Sequence, residues 1–174
     1  MKKLNLGCGN DIRSGFVNAD FIKTGPGVME VDFNNPPYPF SDNEFDEIHC
    51  CGVLEHLGDK EKFRVILKEM IRITKSGGKW FITVPHQTSC SYGSEFHSIQ
   101  FHWRSFYYRP EINPETIIYK DLEVVKRQYV FIKLFFWNFL IMPFVKFFPR
   151  IYEHTFLRYL FPCQDLYFEI KITK

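Results

Sequence analysis

Lys3-Leu4-Asn5-Leu6-Gly7-Cys8-Gly9-Asn10 is a short apolar run that breaks on two glycines flanking one small residue. It reads as a β-strand entering a tight turn. Glycine at Gly7 and Gly9 permits positive φ and removes the Cβ atoms that hold a backbone away from a ligand. In an open α/β sheet, the bend beyond the carboxyl end of the first strand is where a nucleotide-like cofactor rests. Asn5, Gly7, Cys8, Gly9 and Asn10 are therefore the first candidates for cofactor contact. A dinucleotide loop of the form Gly-x-Gly-x-x-Gly would need a third glycine where this chain has Ile12, so the pyrophosphate pattern fails.

Working outward, 174 residues with 45% hydrophobic and 24% charged side chains make a single globular domain over residues 1–174, large enough for a real core. Phenylalanine is abundant, at 20 residues, and charge is split: residues 126–174 hold 8 Lys or Arg against 3 Asp or Glu, so the remainder is net acidic. A net charge of +2 leaves no broad nucleic-acid footprint, while a basic, aromatic tail suits an anionic membrane surface. The five cysteines form no Cys-x-x-Cys pair, and no signal peptide precedes the first strand, so reduced thiols in a cytoplasmic protein are expected.

After the glycine loop, Asp11 to Gly15 is too short and too broken for a full crossover helix. Phe16 to Ala19 reads as a second strand ending in Asp20-Phe21. One carboxylate has lone pairs for two donors, so Asp20 can take both hydroxyls of a ribose, or else be a solvated strand end. Val28 to Val31 reads as a third strand ending in Asp32-Phe33, a pair that suits the amine and face of an adenine, or a turn cap. Phe45 to Cys50 is the fourth strand. Asp59 caps a helix whose stripe Phe63, Ile66, Leu67, Met70 and Ile71 is apolar on one side, with Lys75-Ser76-Gly77-Gly78 expected to end it. Trp80 to Val84 has the continuous apolar character of a buried parallel strand.

Leu-Gly-Cys-Gly, Asp20, Asp32 and the junction Cys50-Cys51-Gly52-Val53-Leu54-Glu55-His56-Leu57 stand in the order found in class I S-adenosylmethionine (SAM)-dependent methyltransferases, and residues 4 to about 85 resemble that family in its type 11-like form. The resemblance implies an α/β, Rossmann-like, doubly wound and mostly parallel seven-stranded sheet with an antiparallel last strand. It also implies SAM as cofactor, with Cys50, Cys51 and the backbone near Gly52 beside its methionine half and Leu54 among the cofactor contacts. Glu55 and His56 have the alternative of starting and packing a helix. Asn35-Pro36-Pro37-Tyr38 matches the tetrad of amino-group methyltransferases but precedes the fourth strand instead of following it, so it reads as a proline-stiffened connection. A missing leading helix and a shortened first crossover depart from the family and would leave the cofactor exposed.

The acceptor pocket is expected over strands four and five, where His86, Glu95, His97 and His102 are the candidate bases, His86 and His97 first. No metal is expected: the spacing of His97 and His102 separates them on either a strand or a helix, and no cysteine pair completes a set. Phe101 to Arg109 interleaves aromatic and basic side chains that either stack on nucleic-acid bases or close the pocket and cover the sheet. Asn113-Pro114-Glu115 opens a short helix, Leu122 to Val130 is the sixth strand, and Leu166 to Thr173 the seventh. Between these last two lies an aromatic helical insertion, residues 131–163, including Lys133, Phe135, Phe136, Phe139 and Leu140. Lys133, Asn138, Pro143 and Lys146 interrupt any span long enough to cross a bilayer, so a pair of interfacial helices, a lid, or a homodimer contact remain. The resemblance extends to small methyltransferases of glycan and lipid-linked sugar pathways, which implies a small-molecule, sugar or lipid-linked acceptor and a peripheral place at the inner membrane face. Methylation of RNA or protein, and SAM binding without turnover, are the alternatives.

Overall fold

The computed structural model describes residues 1–89, 97–132 and 136–174; Cys90, Glu95, Lys133 and Phe135 lie outside them. Seven strands form one sheet in the order β3-β2-β1-β4-β5-β7-β6. They are β1 Lys3–Leu6, β2 Phe16–Asp20, β3 Val28–Glu30, β4 Phe45–Cys51, β5 Thr74–Pro85, β6 Leu122–Val130 and β7 Asp165–Ile172. β1 to β5 pair in parallel, and β7 runs antiparallel between β5 and β6. This is a Rossmann-like, mostly parallel α/β sheet with an antiparallel last strand, as the resemblance implied.

Helix α1, Lys60–Ile73, begins where the Asp59 carboxylate accepts the Lys62 amide. It buries Phe63, Ile66, Leu67, Met70 and Ile73 against the sheet. Its end differs from expectation. The chain turns extended at Thr74, whose hydroxyl donates to the Met70 carbonyl at 2.6 Å and accepts from the Trp80 indole at 2.8 Å. Threonine thereby satisfies the last turn, and Lys75 to Gly78 belong to β5.

β5 is also not buried on both faces. Trp80, Ile82 and Val84 are in the core, whereas Phe81 and Thr83 are only half-buried. Among the described residues no helix occupies the first two crossovers, so nothing helical covers that side of β1 and β4. The side is sealed by polar pairs instead: Lys3 with Glu47 at 3.0 Å, Lys79 with Glu169 at 2.9 Å, and the His49 ring against Phe81. The Asn-Pro-Pro-Tyr tetrad lies in the β3–β4 connection. Tyr38 is buried there, its hydroxyl donating to the Phe33 carbonyl and its amide to Glu69, so the structural reading of the tetrad holds.

Among its described residues the insertion forms three short helices where a pair was expected: α2 Asn138–Phe147, α3 Pro149–His154 and α4 Leu157–Leu160. A buried clamp ties it to the sheet. Glu153 on α3 accepts from His86 Nε2 at 3.1 Å and the Tyr129 hydroxyl at 2.9 Å through one oxygen, and from the Trp103 amide at 3.3 Å through the other. Burial alone would raise this carboxyl; the bonds from His86 and Tyr129 outweigh it and hold the group near about 2. Tyr152, Phe131 and Tyr129 pack around the clamp.

Removing one partner of such a pair strands the other, so Glu153→Ala is expected to cost about 3 kcal/mol in urea unfolding, against well under 1 kcal/mol for an exposed neighbour such as Arg150→Ala. The ordinary carboxyl value is 4.5, so the clamp's contribution is complete above that pH and is lost as pH falls through about 2. Unfolding midpoints for Glu153→Ala that match the parent across this acid range would contradict the clamp.

Candidate functional site

The C-terminal ends of β1, β2 and β4 open onto a cavity of about 610 Å³. Its wall comprises Gly7, Cys8, Gly9, Asn10, Asp11, Asp20, Phe21, Phe33, Asn34, Cys51, Gly52, Val53, His56 and Leu57. The glycine loop makes it possible, though its two glycines act differently. Gly7 has φ +71°, and a Cβ there would overlap the Val53 side chain from the β4 turn. Its bareness serves the approach of two protein segments, not of a ligand. Gly9, at φ +51°, has no atom within 4 Å of where its Cβ would be and faces the cavity.

The loop is held by hydrogen bonds to β2 and its tip. The Gly7 and Cys8 amides both donate to the Ala19 carbonyl, and the Gly9 amide donates to the Asp20 carboxylate at 2.7 Å. The second Asp20 oxygen accepts a longer bond of 3.3 Å from the Ile22 amide. Asn5 does not reach the cavity. It is buried beneath the loop, donating to the Asp11 carbonyl at 2.7 Å and to Asn18 at 3.1 Å, so it positions the bend from below.

Several other candidates are placed differently from expectation. Asp32 does not line the cavity: its oxygens accept from the Asn34 amide at 2.9 Å and the Asn35 side chain at 2.6 Å, closing a turn that presents Phe33 and Asn34 instead. Cys50 points into the core, because residues on a strand alternate and Cys51 takes the outer face, and Leu54, in the turn after β4, is fully buried. Desolvation pushes both the Cys50 and Cys51 thiols above their usual range. Gly52 lines the cavity where it was expected, Leu57 stands in the junction motif without an assigned role, and Asp11 and Asn34 carry no sequence signal beyond standing next to loop residues.

Of the two leading base candidates, His86 is fully buried, with Nδ1 accepting from the Thr88 amide and Nε2 on Glu153. It belongs to the clamp and not to the cavity, an assignment that sequence could not make because Glu153 lies 67 residues away. His97 does come to the rim, through His56: the two rings meet edge-on with centroids 4.7 Å apart. Desolvation, then the neighbouring His56, lowers the His97 imidazole below its usual range. His102 caps a turn by accepting the Arg104 amide. A smaller cavity of about 360 Å³ lies at the far edge of the sheet, between Trp103, Lys126, Arg127 and Tyr129 and the insertion residues Met142, Val145 and Lys146.

Residues 8–82 match the family model described as a methyltransferase domain. No curated protein matches the chain. Solved structures share its fold. A SAM-dependent methyltransferase from Archaeoglobus fulgidus is 19% identical, with a TM-score of 0.62 over 98% of this chain and 85% of that one. The N-methyltransferase NodS from Bradyrhizobium japonicum WM9, in complex with S-adenosyl-L-homocysteine (SAH), is 12% identical, with a TM-score of 0.57 over 99% and 78%. The [4+2]-cyclase SpnF is 13% identical, with a TM-score of 0.59 over 99% and 74%.

The two glycines separate two effects. Gly7→Ala forces Val53 aside and is expected to cost about 1–3 kcal/mol of stability and to abolish SAH binding by calorimetry. Gly9→Ala, strained only in its backbone, is expected to fold and to bind within about tenfold of the parent. Equal behaviour of the two variants would contradict the Gly7–Val53 approach.

Proposed function

We infer that this chain, which carries a class I SAM-dependent methyltransferase domain and takes SAM as its cofactor, delivers the methyl group to a lipid-linked or otherwise hydrophobic small acceptor met at an anionic membrane surface. In this reading the free lone pairs of Asp20 take the ribose hydroxyls, Phe33 and Asn34 the adenine, and Cys51 and Gly52 flank the methionine end. The sulfonium supplies an activated methyl, so what the protein must add is alignment of the incoming nucleophile behind it.

The supporting observation is the surface of the insertion. Phe136, Phe139, Leu140 and Phe147 are 73%, 64%, 77% and 73% exposed, with Phe156, Tyr159 and Leu160 also outward. So much aromatic surface beside Lys146, Arg150 and Arg158 fits partial immersion among lipid headgroups and acyl chains. Among the described residues no helix is long and apolar enough to cross a membrane, so the contact would be peripheral.

Replacing Phe136, Phe139 and Leu140 together by serine removes about 1 kcal/mol per half-immersed side chain, and partitioning onto anionic vesicles is expected to fall on the order of a hundredfold. SAH binding in the same variant is expected to be unchanged. Vesicle flotation indistinguishable from the parent would overturn the membrane reading and leave cofactor binding intact.

A further inference from the structure

We propose that Glu55, His56 and His97 form a binding site for a divalent first-row metal ion at the rim of the cofactor cavity. One donor atom from each lies within 4.8 Å of the others, and Glu55 Oε1 is 4.0 Å from His56 Nε2. Two imidazoles and one carboxylate are the donor set that such ions favour, leaving further coordination positions open.

Two orphaned atoms point the same way. Glu55 is only 3% exposed, yet its Oε2 has no hydrogen-bond partner, and the buried Nδ1 of His97 has none either. Nearly all buried polar atoms find a partner, so two orphans in one cluster call for an occupant.

The cluster is also built rather than incidental. Glu55 and His56 lie in the single 3-10 turn Leu54–His56 that follows β4. The chain after β5 is fastened onto that turn by three bonds to one atom: the Glu55 carbonyl accepts from the Ser98 amide at 2.8 Å, the Ile99 amide at 3.2 Å and the Ser98 hydroxyl at 3.2 Å. His97, the residue before Ser98, is thereby held beside Glu55. Donors bound to one ion at ~2.1 Å stand roughly 3–3.5 Å apart, so small side-chain rotations drawing them in by about 1 Å would complete the set. Because His56 lines the cofactor cavity, the open positions would face the space where a methyl acceptor approaches, and an acceptor oxygen is the ligand they suit. That last role rests on the methyl-transfer reading, whereas the ion site itself does not.

The test uses purified, metal-stripped full-length chain titrated with Co2+ and Zn2+, followed by visible absorption and calorimetry. One Co2+ per chain is expected, with the absorption of a nitrogen- and oxygen-ligated ion that Zn2+ displaces. Glu55→Gln and His97→Ala are each expected to weaken binding tenfold or more, while SAH affinity, measured on the same samples, stays within twofold. Absence of Co2+ absorption and of Zn2+ heat in parent chain that binds SAH would overturn the site, as would either variant binding metal like the parent. Loss of SAH binding in the parent would count against the cofactor reading instead.

Discussion

Everything at the cofactor end depends on how closely Gly7 and Val53 approach each other. The bend after β1 and the turn after β4 come from neighbouring strands, and with no side chain on Gly7 the two can be stacked without an intervening layer. That approach sets the back of the cavity, and the Asp20 carboxylate, by holding the Gly9 amide, sets its front.

Coverage of the sheet is one-sided. α1, the segment from Phe101 to Phe106 and the insertion all pack on the face bearing Trp80, Ile82, Leu166 and Phe168. The opposite face, without helices in the early crossovers, relies on Lys3–Glu47 and Lys79–Glu169 pairs of the partly exposed kind that contribute little. Stability is therefore concentrated on the covered side. The His86–Glu153 clamp couples the aromatic insertion to that core, so the surface read as meeting the membrane is anchored through one buried carboxylate.

Much of this was legible in the residues. The strands themselves and the glycine bend follow from patterns within a few residues of one another, where local periodicity and turn chemistry suffice, whereas the parallel sheet and its antiparallel last strand came from the resemblance. What escaped were pairings across the fold. Cys50 and Cys51 are adjacent, and only the pleat decides which faces the cavity. Asp32 looked like an adenine ligand but is consumed by the turn that presents Asn34. His86 looked like a loop base and is an interior residue, because its partner Glu153 sits in the insertion. His97 was weighed against His102, its neighbour in sequence, whereas the fold brings it to Glu55 and His56, about forty positions upstream.

The short first crossover has a kinetic meaning. Where a helix would ordinarily wall the nucleoside side, this chain has a bend of a few residues, stitched by Arg13 to the Asp11 carboxylate and to the His49 ring. Few backbone bonds must break for that rim to part, so spent cofactor can leave by a local fluctuation instead of a domain opening. Exchange of the nucleoside at that rim is then mechanically separate from the insertion, which joins β6 and β7 at the other end of the sheet.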